Sequence, residues 1–348
     1  MFSVVSLMGV FVDVGGLTKE EVFLLEAAIF SGYVGIVSLV MVTGDAKFVG
    51  EVAVEFPAFD AELLKLEAVA IVAAFCCCWL MEFLELHLHG NSIGNEGVRA
   101  LMSGLSAHKG KFTLLDIGNN EIGPKGAFHV AEFVKKSKSL LWLNFYMNDI
   151  GDEGAEKIAE ALKQNRTITA IDLGGNNIHA KGVTAISQVL KDNHVITSLE
   201  LGYNPLGSDG AKALAEVLKF HGKIQILKLG WCQIGVKGAE FIADTLKYNT
   251  TITTLDLRAN GLGDDGAVCL ARSFKVVNEA LVSLDLGFNE IRDKGAFAIA
   301  QAFKANEDLT ITSLNLASNF LTKLGQVALT DARDHVYELN EKEVNIFF

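Results

Sequence analysis

Residues 199–211, with the sequence LELGYNPLGSDGA, carry the pattern that decides the fold of this chain. Their asparagine, Asn204, recurs along the 348 residues at steps of 28 to 30 residues, and a glycine follows it six residues later each time. The recurring positions are Asn91, Asn120, Asn148, Asn176, Asn204, Cys232, Asn260, Asn289 and Asn319. Nine coincidences at one offset indicate an internal structural repeat.

The full repeat reads LxLxxNxIGxxGAxxIAxxLKxN, and its two halves have different periods. Paired apolar residues such as Leu199 and Leu201 alternate with polar ones, which predicts a short strand with one buried face. In the second half, residues such as Ile158 and Leu162 follow helical spacing. We expect the asparagine amide to bond backbone groups of the turn, so that Asn176→Leu costs about 1–3 kcal/mol. The thiol of Cys232 should bond these backbone groups less well. The glycine six residues after each asparagine should avoid a clash with the turn.

These units predict an α/β solenoid. Helices are wider than strands, so the stack should curve into a horseshoe with parallel strands on the concave face and helices on the convex face. Nine units carrying LxLxxNxIGxxGAxxIA over residues 83–348 resemble the ribonuclease-inhibitor class of leucine-rich repeats. This class includes the ribonuclease inhibitor, the repeat domains of NOD-like receptors and the GTPase-activating protein for Ran. The resemblance implies a binding surface and leaves the bound molecule open.

Residues 1–82 do not keep the period and are interpreted as an atypical hydrophobic cap or degenerate repeats. A capping box at residues 18–21, TKEE, predicts a helix that continues to residue 30. Residues 34–42 and 48–56 read as strands of a hairpin or of decayed repeats, and residues 61–75 as a second helix. The uncharged run 27–44 reaches only the lower limit of a membrane span. A buried element is favoured there, with membrane contact as the alternative.

Composition narrows the function classes. The net charge of −12 disfavours nucleic acid and favours a protein partner with a basic surface. The five cysteines form no CxxC pair, so their spacing encodes neither a disulfide framework nor a zinc site, and a reducing, cytoplasmic location follows. No nucleotide-binding loop or Ser-His-Asp order is present, so we expect no catalytic residues, no metal and no cofactor.

One column of polar residues should project from the strands onto the concave face. Five of its nine members are acidic and form a predicted negative stripe; the others are His87, Asn144, Lys228 and Asn315. The acidic members are Asp116, Asp172, Glu200, Asp256 and Asp285. The stripe is interpreted either as a footprint for a basic partner or as a solvated strand face.

Two positions further along each repeat, glycine dominates and predicts an open floor. The exceptions are Tyr146 and Arg258. The next position places Met147, Tyr203, Trp231 and Phe288 at the rim of the concave face. Aromatic and arginine side chains are favoured as binding anchors, so Trp231, with Tyr203 and Arg258, is the strongest candidate hot spot. The alternative is that the aromatic residues only shield the turn from water.

The leading hypothesis is therefore a non-catalytic, cytoplasmic scaffold or recognition module that binds a protein on its concave face. A GTPase activator similar to that for Ran is one alternative. The chain's final 18 residues, DARDHVYELNEKEVNIFF, lack the long acidic tail that this resemblance implies. A regulatory protein related to NOD-like receptor repeats is the other alternative.

Overall fold

The computed structural model describes residues 85–106, 111–275 and 280–348 with their side chains, and residue 107 by its backbone. It describes the backbone of residues 83 and 84 and of four strands nearer the N-terminus. These four strands are β1 (Ser6–Leu7), β2 (Val10–Phe11), β3 (Val34–Thr43) and β4 (Ala46–Glu55). The predicted helices at residues 22–30 and 61–75 lie outside the described residues.

Within these ranges, ten parallel strands alternate with nine helices. The strands are β5 (Phe83–His87), β6 (Leu114–Asp116), β7 (Trp142–Asn144), β8 (Ala170–Asp172), β9 (Ser198–Glu200), β10 (Ile226–Lys228), β11 (Thr254–Asp256), β12 (Ser283–Asp285), β13 (Ser313–Asn315) and β14 (Asn345–Phe347). The helices are α1 (Gly94–Ala107), α2 (Pro124–Lys136), α3 (Gly151–Leu162), α4 (Ala180–Leu190), α5 (Gly207–Leu218), α6 (Gly235–Leu246), α7 (Gly263–Phe274), α8 (Asp293–Ala305) and α9 (Lys323–Asn340). Each strand pairs with the strand of the next repeat in one open sheet, and the predicted solenoid is confirmed.

An antiparallel hairpin extends the N-terminal edge of this sheet. Strands β3 and β4 pair along their whole length, and β3 also pairs antiparallel with β5. The two strands predicted within residues 1–82 are therefore present as a hairpin, and its capping role remains a prediction. A bilayer-crossing helix, which needs about 20 consecutive apolar residues, is absent from the described part of the chain.

The core lies between the sheet and the helices and runs continuously through the repeats. In the central repeat, Leu199 and Leu201 of the strand segment and Leu214 of α5 are fully buried. Each such leucine contributes about 1.5–3 kcal/mol through burial. The repeated glycine has the predicted steric role: at Gly154 or Gly238, an added Cβ would come within 2.6 Å of the Cβ of Ile150 or Ile234. Those atoms are next to the backbone and cannot swing away.

The recurring asparagines form a ladder of hydrogen bonds that joins each strand end to the neighbouring repeat. The Oδ1 atom of Asn204 accepts the N–H groups of Asn176 and Ile178 at 2.8 and 3.0 Å. Its Nδ2 atom donates to the carbonyls of Leu173 and Leu201 at 2.8 and 2.9 Å. One amide therefore satisfies four buried backbone groups, of which three belong to the preceding repeat and one to its own.

One bond of the ladder runs from the backbone N–H of an asparagine to the Oδ1 atom of the asparagine in the next repeat. It depends on the residue that follows the donating asparagine. Where that residue has a left-handed backbone, as Asn177 does (φ 57°), the ladder N–H meets the next asparagine's Oδ1. Asp149 and Pro205 lack a positive φ, and proline cannot adopt one. Opposite Asp149, the Oδ1 atom of Asn176 has no hydrogen-bond partner. Opposite Pro205 stands Cys232, and its Sγ atom is 3.3 Å from the carbonyl of Leu201.

The placement of Cys232 therefore has a physical reason. An asparagine there would face the same turn geometry that leaves the Oδ1 of Asn176 unpartnered, whereas a thiol brings a donor and no amide oxygen to satisfy. Burial raises the pKa of Cys232 to about 12, so the buried thiol stays protonated and unreactive at neutral pH. The sequence led us to expect a softer turn here. The structure shows that a thiol contact with the carbonyl of Leu201 replaces the amide bonds of an asparagine.

A second ladder runs along the turns that follow the helices. Asn193 donates from Nδ2 to the carbonyl of Leu162 at 3.0 Å, and its Oδ1 atom accepts the N–H of Val195. His221 takes the same position in the next repeat. Asn165 and Asn249 belong to this ladder too, and each begins an Asn-x-Thr triplet that matches the glycosylation pattern. Both asparagines are buried, with Nδ2 bonded to a backbone carbonyl, so the folded chain offers neither for glycosylation.

Helix starts are capped by the preceding repeat. The Oδ1 atom of Asp264, in the first turn of α7, accepts the N–H groups of Arg292 and Gly295 at the start of α8, both at 2.8 Å. Asp152 does the same for α4, with His179 and Gly182. These carboxylates, which suit the dipole of their own helix, therefore also satisfy the next helix's free N–H groups.

The ladder generates a graded stability prediction. Asn204→Leu should destabilise the protein by at least about 1 kcal/mol more than Asn176→Leu. The first change leaves two N–H groups and two carbonyls without partners, while Asn176 satisfies carbonyls only. Urea unfolding of both variants measures the difference. Equal losses would contradict the bonding pattern described here.

The helix caps generate a second prediction. Asp264→Ala should lower the free energy of unfolding by about 1 kcal/mol, because α8 loses the acceptor for two N–H groups. Asp265→Ala is the matched control, since Asp265 is solvent-exposed and pairs only with the exposed Lys294. Chemical denaturation should show no measurable change for this control, as expected for a surface ion pair. A comparable loss in both variants would argue against capping across repeats.

His221 generates a pH-dependent prediction. Burial lowers the pKa of His221, and its Nδ1 atom accepts the N–H groups of Lys223 and Ile224. The unfolded chain, with a pKa of 6.5, takes up a proton that the folded chain refuses, so stability should fall as the pH drops below about 6.5. His221→Asn, which copies Asn193 and Asn249, should reduce this loss. Unfolding free energies at pH 7.5 and 5.5 test it, and an unchanged pH dependence would count against the assignment.

Candidate protein-binding surface

The polar column of the concave face first serves the fold. The Oδ1 atom of Asp172 accepts the N–H of Gly174 at 2.8 Å, and Asp116, Asp256 and Asp285 bond the residue two positions on in the same way. Asn144 and Asn315 do this with their amide oxygens. A short polar side chain is thus favoured at this position whatever the protein binds.

Ion pairs with basic side chains neutralise two of the five carboxylates of the predicted negative stripe. Lys228 contacts Glu200 at 2.7 Å, and the guanidinium of Arg258 contacts Asp256 at 2.6 Å. His87 and His89 lie 3.9 and 3.4 Å from Asp116. Among the described residues, Asp172 and Asp285 are the column's carboxylates without a basic side chain in ion-pair contact.

The surroundings of Asp172 shift its pKa. Burial raises the pKa of Asp172 to about 6, with the nearby charge of Glu200 adding to the effect and the Gly174 N–H opposing it. The pKa of Tyr146 is also raised, first by burial and then by the neighbouring Tyr203 and Asp172. Tyr146, Tyr203 and Asp172 therefore influence one another's charge on the concave face. A cation placed there would stabilise the charged form of Asp172.

The glycine floor is only partly open. A Cβ atom at Gly118 or Gly230 would clash with the side chain of His89 or Arg258, which rests on the bare backbone. At Gly202 the nearest atoms to an added Cβ all belong to the backbone of Gly230. Most of the floor therefore makes room for side chains of this chain, and the free space is concentrated at Gly202.

Four side chains form a continuous aromatic rim, defined here as Tyr146, Tyr203, Trp231 and Phe288. Tyr203 stacks on Trp231, with ring centroids 6.0 Å apart and planes 10° apart. Tyr146 meets Tyr203 edge to face at 6.3 Å, and Trp231 lies 6.4 Å from Phe288. The last pair spans two repeats, and the small Ala259 occupies the rim position between them. The structure thus brings together the aromatic residues that the sequence singled out.

Three of the four residues of the aromatic rim, and Met147 at the equivalent position of an earlier repeat, have a left-handed backbone. Tyr203, Trp231 and Phe288 have φ values of 60°, 60° and 56°, and Met147 has 53°. The left-handed region is uncommon for large side chains and costs about 1–2 kcal/mol relative to the ordinary conformation. Other repeats place Asn119 or Gly175 at the same position, residues that tolerate it better. Nevertheless, Tyr203, Trp231 and Phe288 expose between 46% and 55% of their surface.

The histidines near the first repeat do not form a metal cluster. His87, His89 and Asp116 come together as the shared strand face predicts, yet no group of three or more potential ligands in the described ranges is arranged to hold an ion. Sequence analysis also missed the pair Glu200–Lys228. The 28-residue offset between them was the available signal, because it places both side chains side by side on adjacent strands.

Comparison with curated proteins found no match. Similar solved structures include the C-terminal domain of tropomodulin from Caenorhabditis elegans (16% identity, TM-score 0.38, covering 45% of this chain and 93% of that one). Others are actin-binding site 2 of leiomodin-1 (18%, 0.33, 52% and 87%) and an internalin from Listeria monocytogenes (15%, 0.37, 78% and 93%). Similarity at this level does not indicate what this chain binds.

The repeat pattern itself identifies the family. The family described as Leucine Rich repeat matches eight segments that together make up just over half of the chain. They are residues 83–102, 111–131, 136–159, 164–187, 192–215, 223–243, 248–271 and 277–300. They coincide with the strand, turn and helix units described above. The chain belongs to the leucine-rich-repeat family.

Proposed function

We propose that this protein is a non-catalytic, cytoplasmic interaction module that binds a protein partner on its concave face, with the aromatic rim as the anchor. Leucine-rich repeats are protein-interaction modules, and the described residues add a specific surface to that general role. Arg258 borders the rim: its guanidinium is held by Asp256 and its stem lies over Gly230. We also propose that the repeats are of the ribonuclease-inhibitor class.

The observation that carries the proposal is the left-handed backbone of the half-exposed aromatic residues. Local stability favours glycine or asparagine at this position of the turn. Stacking between exposed rings returns only about 0.5–1.5 kcal/mol, so the rings bring little net stability. Aromatic side chains kept exposed at such positions are typical of binding anchors. Asp172 and Asp285 add negative charge on the same face and favour a basic partner surface.

The competing functions require different evidence. A GTPase activator similar to the one for Ran would accelerate hydrolysis of GTP bound to Ran in a single-turnover assay. Acceleration at micromolar concentrations of this protein would contradict the non-catalytic proposal. A regulatory protein related to NOD-like receptors would use the same concave face for binding, and the experiment below applies to it equally.

Affinity capture with a paired variant tests the proposal. Tyr203→Ala with Trp231→Ala should weaken partner binding by at least about 30-fold, because a hot-spot residue contributes about 2 kcal/mol or more. Its unfolding free energy should stay within about 1 kcal/mol of wild type, since lost stacking is offset by lost backbone strain.

The matched control changes two exposed aromatic residues elsewhere. Phe220 and Tyr248 follow the C-terminal ends of α5 and α6, and they are 81% and 56% exposed. Phe220→Ala with Tyr248→Ala should capture the same partner as the wild-type protein. Full capture by the Tyr203/Trp231 variant would refute the anchor, as would equal loss in the control.

A further inference from the structure

Three neighbouring strand ends form a bare floor in the middle of the concave face. Gly174, Gly202 and Gly230 occupy equivalent positions in successive repeats. An ideal Cβ at Gly202 would lie 3.1 Å from the carbonyl oxygen of Gly230, and its next neighbours are also backbone atoms, at 3.8 and 4.0 Å. No side chain comes nearer than these atoms. No side chain therefore covers the floor at Gly202, and this glycine is partly exposed.

Two side chains close the ends of this floor. The ring of Tyr146 covers Gly174, because its Cδ2 atom would be 3.0 Å from an added Cβ there. Arg258 covers Gly230 in the same way, with Cγ at 2.9 Å. Parallel strands are about 4.8 Å apart, so the two covered glycines lie about 10 Å apart. The uncovered floor at Gly202 between them, called the recess below, is narrower than this. Its width suits a single flat side chain.

The two long sides of the recess have different chemistry. On one side stand Asp172, Glu200 and Lys228, which are successive members of the polar column. On the other side stand the stacked rings of Tyr203 and Trp231. A group entering the recess would therefore meet two carboxylates and one ammonium group on one side, which leaves one net negative charge, and aromatic rings on the other. This combination attracts cations and does not suit anions.

The charges around the recess leave one negative charge uncompensated. Lys228 neutralises Glu200, and Arg258 neutralises Asp256. Asp172 has no ion-pair partner within the described ranges, and its Oδ1 atom is already bonded to Gly174. Its Oδ2 atom is the remaining acceptor. One added positive charge would neutralise Asp172. Lys228 and Arg258 are already paired with carboxylates and would attract an anion only weakly.

We infer that this recess receives one arginine side chain of the bound protein, with the guanidinium against its aromatic rings and donating to Asp172. The inference rests on the proposed function and names the chemistry of its partner. Arginine fits better than lysine because its guanidinium is planar, stacks on aromatic rings and is more weakly hydrated than an ammonium group. The raised pKa of Asp172 supports it, since an adjacent guanidinium would relieve the cost of that partly buried charge.

The direct test uses three short peptides with the wild-type protein. The probes are acetyl-Gly-Arg-Gly-amide and the same peptide with lysine or with citrulline, a neutral analogue of arginine. Chemical shifts of the Trp231 indole N–H, followed during titration, give each dissociation constant. The arginine peptide should bind at least about tenfold more tightly than the citrulline peptide and more tightly than the lysine peptide. Equal affinity for arginine and citrulline, or for arginine and lysine, would overturn the inference.

The decisive variant is Asp172→Asn. It keeps the amide oxygen that bonds the N–H of Gly174, as Asn144 and Asn315 do at the same position. The fold should therefore persist, and a thermal unfolding curve checks it. The variant should lose the preference for arginine over citrulline. Asp285→Asn is the matched control, because it makes the same change in the same column outside the recess and should keep the preference.

The captured partner separates this inference from the proposed function. We expect Asp172→Asn to weaken partner binding about tenfold, alongside the larger loss in the Tyr203/Trp231 variant. If Asp172→Asn binds the partner as tightly as wild type while the Tyr203/Trp231 variant does not, the arginine recess is wrong and the proposed function stands. If the Tyr203/Trp231 variant still binds the partner fully, the proposed function itself is wrong.

Discussion

The hydrogen bonds of the ladder asparagine are the constraint on which the rest of this structure depends. A strand of three residues has too few backbone bonds to define a turn, and its end must be buried where one repeat meets the next. The amide of Asn204 resolves this by serving Asn176, Ile178, Leu173 and Leu201 at once. Because these bonds bridge repeats, strand register and repeat spacing follow from the same side chain.

The ladder also decides where the turn can vary. A left-handed residue after the asparagine is required for the full bond pattern, and Asp149 and Pro205 do not provide it. One consequence is an unpartnered amide oxygen at Asn176, and the other is a cysteine in place of asparagine at 232. Departures from the repeat therefore occur as linked pairs in adjacent units. They follow from backbone geometry and do not indicate a chemical role for the thiol.

The same turn geometry shapes the candidate binding surface. The left-handed position at the rim is imposed by the fold, and three repeats fill it with exposed aromatic rings where glycine or asparagine would be less strained. Close by, Asp172 carries a partly buried carboxylate without a basic side chain in ion-pair contact among the described residues. Both features are unfavourable for the isolated protein and favourable for a complex. Their occurrence within one neighbourhood is the physical basis for assigning binding to this part of the concave face.

The sequence alone determined the repeat, the parallel strands, the outer helices and the aromatic candidates, because a period of 28 residues reports which side chains share a face. Only the tertiary structure decided which of these residues interact. The pairing of Lys228 with Glu200 and of Arg258 with Asp256 neutralised two of the five carboxylates of the predicted acidic stripe. Caps such as Asp264 act on the following helix for a related reason. The repeat pattern shows which side chains share a face, but it does not contain the side-chain distances, within a repeat for Arg258 and between repeats for Lys228 and Asp264, that decide which of them meet.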